Sequence, residues 1–161
     1  MGTLLQKSKK MNKNISIIII AITFIWVGMV CGISFIEAPL KFQAPGITLP
    51  LGLGIGKLVF GALTKIEMLF SLFVIASLLL SEAQFKTWKL FLLPILIVVI
   101  DNAWLMPILD NRIDLIMSGI TPPESNAHWW YVALELIKLF SLVIAGVVVT
   151  KRNLSFNQID L

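Results

Sequence analysis

The chain is poor in the residues that build covalent or metal scaffolds. Cys31 is its one cysteine and His128 its one histidine, which excludes a disulfide framework and a Cys/His zinc site within a single copy. Charge is scarce as well. Only 14% of the residues are Asp, Glu, Lys or Arg, whereas 58% are hydrophobic, and a mean hydropathy of +0.93 excludes an ordinary soluble domain. No nucleophilic triad, thiol redox pair or Walker-type loop can be assembled. Gly52, Gly54 and Gly56 form a Gly-x-Gly-x-Gly run, but no strand is expected before them and their setting is apolar. The net charge of +4 sits mainly on Lys and Arg at the ends of apolar stretches, so no nucleic-acid partner is expected.

Long hydrophobic runs fill the space left by these absences. Residues 15–36, 58–80, 88–109 and 129–150 each meet the roughly 20 helical residues that cross a hydrocarbon core. The pattern predicts an all-α integral membrane four-helix bundle: a basic leader at 1–14, a transmembrane domain at 15–150 and a tail at 151–161. The leader "MGTLLQKSKKMNKN" is followed by about 22 apolar residues without a small-residue cleavage site, so the first helix is expected to be retained. Met11 is an alternative start. Lys7, Lys9, Lys10, Lys13, Lys86, Lys89, Lys151 and Arg152 fall on one side, against Lys41, Lys57 and Arg112 on the other. This imbalance places both termini in the cytoplasm, in the cell (inner) membrane.

The connection "EAPLKFQAPGITLPLGLGIGK" contains Pro39, Pro45, Pro50 and the glycine run. Helix is expected to break there, with the segment lying at the membrane interface or folding back on the bundle. A second connection, "DNRIDLIMSGITPPESNAHWW", is expected to turn at "TPPES".

Ionisable groups inside the apolar runs carry the functional signal, because an intramembrane charge needs a partner, a proton or water. At about 100° per residue, His128, Tyr131, Glu135 and Lys138 lie within about 80° on one face of the fourth helix. Lys57, Thr64, Glu67 and Ser71 form a similar stripe on the second. In "LPILIVVIDNAWLMPIL", Asp101 shares a face with Pro94, Ile97, Trp104 and Ile108, and Asn102 follows it. Glu37 ends the first helix. The candidate ligand-binding or proton-relay residues are therefore Glu37, Glu67, Asp101, Asn102, Tyr131, Glu135 and Lys138, in a pocket opening on the face opposite the termini. Lys138 is one turn from Glu135 and within cross-helix reach of Asp101 or Glu67. Lys65 points about 160° from Glu67 and is expected to snorkel or to meet another subunit. Gly28 and Gly32 read as a close helix-packing pair. Trp104, Trp129 and Trp130 read as interface anchors. His128 reads as an interfacial histidine, and no metal site is expected.

The segment "WVGMVCGISFIEAPLKF" resembles the first helix of the transmembrane-protein-205-like group of four-helix membrane proteins, with its W-x-G (Trp26, Gly28) and a distal P-x-x-F (Pro39, Phe42). "LMPILDNRID" and "HWWYVALELIK" are similar in placing a proline after the third helix and a histidine at the start of the fourth. The resemblance implies a four-helix fold and no established reaction. It does not extend to Asp101, Glu135 or Lys138, and "GITLPLGLGIG" is unusually rich in glycine for it.

Three functions fit these residues: binding of a small ligand or cation or support of its passage; an accessory role beside a membrane-protein partner or second copy; and intramembrane catalysis on a hydrophobic substrate. No cofactor is assigned. A diiron site would need Glu-x-x-His elements where this chain has Glu135-x-x-Lys138, and a haem would have His128 as its one histidine ligand.

Overall fold

A computed structural model describes residues 13–80 and 85–157. The rest of the leader, including Met11, and the end of the tail lie outside the described residues. Among the described residues, four helices long and apolar enough to cross a membrane make up the fold. Helix α1 spans Lys13–Gln43, α2 spans Leu49–Leu80, α3 runs from Phe85 to Met117, and α4 spans Ala127–Asn157. The helices are longer than the apolar runs alone suggested, and α4 continues into the segment read as a tail.

Short connections make sequential helices antiparallel neighbours. Helix α4 packs on α1 and α3, and α2 completes the ring between them. The buried stripe of α1, Ser16, Ile19, Thr23, Trp26 and Val30, repeats every three or four residues, as a helix with one inward face requires. One apolar layer near the termini contains Ile19, Val74, Leu78, Phe91, Ala145 and Val149. A second contains Trp26, Val30, Val98 and Leu142, and a third at the far end contains Leu105, Ala127 and Tyr131. The outer surface is apolar too: Leu58, Leu92 and Leu80 are 76%, 67% and 79% exposed. Buried hydroxyls turn back on their own helices, as Thr23 does to the Ile19 carbonyl at 2.7 Å and Ser71 to the Glu67 carbonyl at 2.8 Å, so they cost little in apolar surroundings.

The expected break at Pro39 does not occur. Helix α1 widens into a π-helical segment over Cys31–Glu37 and then continues through Pro39 to Gln43. Helix α3 repeats the device, π-helical over Asp101–Leu105 before Pro107. Each proline lies two residues past the wide segment. A proline lacks the N–H that would bond four residues back, and its ring crowds that carbonyl. A π turn relocates the hydrogen bond and accommodates both effects. The same turn corrects the face assigned to Asp101: Trp104 points outward at 55% exposure, and Leu105 is the buried neighbour at 1%.

The glycine run is helical as well. Thr48 accepts a hydrogen bond from the Leu51 amide at 3.4 Å, and Pro50 sits in the first turn, a favourable helix start. Gly52 and Gly56 face the end of α1. A methyl group on Gly52 would overlap the Phe42 ring, and one on Gly56 would lie 2.8 Å from Lys41 Nζ. Packing of Lys41 and Phe42 into this stripe offsets the propensity cost of about 1 kcal/mol per glycine. Gly28 and Gly32 meet nothing within 4 Å, so they do not form the close packing expected of them. That contact belongs to Gly146 of α4, where an added methyl would lie 2.9 Å from Phe24 and 3.3 Å from Thr23.

Helix α3 is stopped just past its end by Gly119, whose φ is +77°. Its amide bonds the Ile116 carbonyl, and the Ile120 amide reaches back to Leu115. These paired bonds form a Schellman stop, so the reversal begins before "TPPES".

Candidate functional site

Between the middle and far apolar layers, all four helices contribute polar side chains to one buried cluster. Lys138 of α4 is at its centre and is completely buried. Its ammonium lies 2.8 and 2.9 Å from the two carboxylate oxygens of Glu67 on α2, and 3.4 Å from Asp101 Oδ2 on α3. It also donates to Glu135 one turn away on its own helix. The three acids are 1–2% exposed.

Helix α1 supplies neutral donors. Trp26 Nε1 donates to Glu67 Oε1 at 2.9 Å, and Ser34 Oγ donates to Glu135 Oε2 at 3.0 Å. Two of the polar groups stand on π-helical turns, Ser34 within the first and Asp101 at the start of the second. Satisfaction is uneven. Glu67 has Lys138 and Trp26, Glu135 has Lys138 and Ser34, and Asp101 has one long contact to Lys138. Asp101 Oδ1 is buried without a hydrogen-bond partner. With every group ionised, three carboxylates face one ammonium, an imbalance that a buried site does not tolerate without further positive charge.

A cavity of about 550 Å³ adjoins the cluster at the end of the bundle opposite the termini. Ser34, Tyr131 and Glu135 line its polar part, and Phe35, Phe60, Met106 and Ile113 are among its apolar walls. Tyr131 is buried and packs edge-on to Phe60 at a centroid distance of 5.7 Å. Lys41, Lys57, Asp110, Arg112 and His128 also line the cavity. Lys41 pairs with Glu37 at 3.4 Å and lies 5.3 Å from the Phe60 ring centroid, Lys57 pairs with Asp114 at 2.5 Å, and Arg112 donates to the Pro123 carbonyl. Glu135 belongs to both cavity and cluster, and so connects them.

Glu67, Asp101, Glu135 and Lys138 are thus brought together, with Tyr131 beside them on the cavity side. Glu37 is not among them: it is part-exposed and serves as the partner of Lys41. Asn102 also stands apart, since its amide donates to the Val98 carbonyl of its own helix at 3.0 Å. His128 is exposed at the mouth, with its ring 6.0 Å from that of Trp129. Among the described residues no group of three His, Cys, Asp or Glu side chains is placed to hold a metal ion.

Sequence reasoning missed Trp26 and Ser34 as members of the site. For Trp26 a signal existed, because an indole N–H on the inward stripe that also carries Ser16 and Thr23 needs an acceptor in an apolar interior. Ser34 is placed by the π turn, which α-helical periodicity does not anticipate. Comparison of the chain with family models, curated proteins and solved structures finds no match.

Proposed function

We propose that the chain is a multi-pass membrane protein with both termini in the cytoplasm, and that its outward-opening cavity binds a small ligand or cation or supports its passage. Membrane insertion is supported by the apolar outer surface of the four helices, which water would not tolerate over such an area. Sidedness is supported by the eight basic residues at one end against three at the other.

One observation carries the binding role: a cavity of about 550 Å³ ends on Glu135, a carboxylate tied to a fully buried lysine. Its volume is in the range of small-molecule sites, and mostly apolar walls with a few converging polar groups are what such sites present. The preferred occupant is a small, mainly apolar molecule whose hydrogen-bond-donating or cationic group meets Glu135. The test is a thermal-stability screen of the purified protein against small apolar amines, alcohols and acids. A true ligand stabilises by about 2.7 kcal/mol at one hundred times its Kd, and this gain should be lost in Glu135→Gln. No stabilisation by donors, or stabilisation by acids alone, would overturn the assignment.

A second reading, an accessory subunit, rests on Lys65. It is exposed midway along α2 and has no ion-pair partner among the described residues. A carboxylate from a neighbouring membrane protein would offset the cost of that charge in lipid. Co-purification of a partner from wild type but not from Lys65→Leu would support this role.

A further inference from the structure

We infer that the Lys138 cluster is a proton site, in which Asp101 binds and releases one proton while Lys138 remains the fixed cation. This goes beyond ligand binding in the cavity and stands without it. The first observation is the charge count, three buried carboxylates around one ammonium, an excess of two negative charges of which one proton on Asp101 removes one. The second is geometric and independent of it: Asp101 is 1% exposed, meets Lys138 only through Oδ2 at 3.4 Å, and leaves Oδ1 buried without a hydrogen-bond partner.

The other two acids are poorer acceptors for a proton. Glu67 receives Lys138 on both oxygens and Trp26 on one, and Glu135 receives Lys138 and Ser34. A proton on either would have to displace a donor already in place. The groups facing Asp101 are Glu67 from α2 and Tyr131, Glu135 and Lys138 from α4; the α1 donors Trp26 and Ser34 are engaged by Glu67 and Glu135. Asn102, beside it on α3, is turned to its own helix. A proton suits this site better than a metal ion, because the acids converge on Lys138 and, among the described residues, no three of them are arranged around a common metal position.

The step is a bare protonation. An O–H bond forms on Asp101 with a proton from the aqueous side and breaks when the proton returns to it. Glu135, which reaches both the cavity and Lys138, is the group through which a proton or a cationic occupant of the cavity would be sensed. A cation arriving at Glu135 disfavours the proton on Asp101, and an anion favours it.

Infrared spectroscopy of the full-length protein in lipid tests this directly. At neutral pH the wild type should show the carbonyl stretch of a protonated buried carboxyl, shifted in heavy water and lost as pH rises. Asp101→Asn should remove it, whereas Glu37→Gln should not. Absence of the band from wild type would overturn the inference, and that measurement needs no variant. Persistence of the band in folded Asp101→Asn would also overturn it, as would an amplitude that follows Na⁺ at fixed pH. None of these readouts involves a cavity ligand, so failure here is distinct from failure of the binding proposal.

Discussion

Replacing Lys138 by Met removes the one cation at the centre of the cluster while keeping most of its apolar stem. The wild-type ammonium touches Glu67 at 2.8 Å, Asp101 at 3.4 Å and Glu135 on its own helix, with no solvent exposure. Losing one partner of a buried ion pair costs about 3–5 kcal/mol, because the remaining charge is left uncompensated. Here two charged acids, Glu67 and Glu135, are left beside the protonated Asp101, so the upper part of that range is expected. For a chain of this size it corresponds to a fall of roughly 6–20 °C in apparent Tm. The assay is a set of double-mutant cycles on thermal stability in detergent, pairing Lys138→Met with Glu67→Gln, Asp101→Asn and Glu135→Gln. Each amide keeps volume and hydrogen-bonding capacity while deleting charge. Contacting groups couple by about 0.5–3 kcal/mol. Coupling should be large for Glu67 and Glu135 and smallest for Asp101, whose contact is longest and whose charge the bound proton cancels. Additivity in all three cycles would refute the electrostatic cluster. Strongest coupling at Asp101 would refute the proton's location.

Three further outcomes are expected. Trp26→Phe keeps a buried ring but strips Glu67 of its indole donor, which should cost about 1.5–3 kcal/mol in the same thermal assay, whereas Trp104→Phe on the exposed face should stay within about 0.5 kcal/mol. Gly52→Ala forces Phe42 to move and should destabilise by about 1–3 kcal/mol, while Gly28→Ala, with open space around it, should be neutral or gain up to about 1 kcal/mol from helix propensity; equal effects at the two sites would contradict the packing described. In a Cys31→Ser background, single cysteines near residues 44 and 120 should label from outside intact cells and those near 84 and 155 should not, as the basic-residue imbalance requires. The reverse pattern would invert the protein and the opening of its cavity.

Much of the architecture is legible because hydrophobic length and periodicity act locally. Four apolar runs give four helices, and the stripes of Glu67 and Lys138 point inward because a buried acid and a buried lysine are cheaper together than apart. Prolines and glycines misled where long-range packing decides the outcome. Pro39 is absorbed by a π turn, and the glycine run is held helical by Lys41 and Phe42, neither of which helix propensity can weigh. The π turns of α1 and α3 also explain why Ser34 was missed as a site member and why Leu105, not Trp104, lies buried beside Asp101. Glu37 and Asn102 were drawn into the candidate site by their place in or near apolar runs. Each instead has a local partner, Lys41 one turn away or the Val98 carbonyl, which residue type alone does not reveal.

The most direct test of the binding role is native mass spectrometry of the protein purified from membranes, comparing wild type with a cavity-filling Leu53→Trp variant. Leu53 lines the cavity and is only partly buried, so a larger ring at this position has the cavity to occupy. Wild type is expected to retain a small non-protein molecule that the filled variant loses while remaining folded by thermal denaturation. A wild-type protein that carries nothing, or a folded filled variant that retains the same molecule, would contradict binding in this cavity.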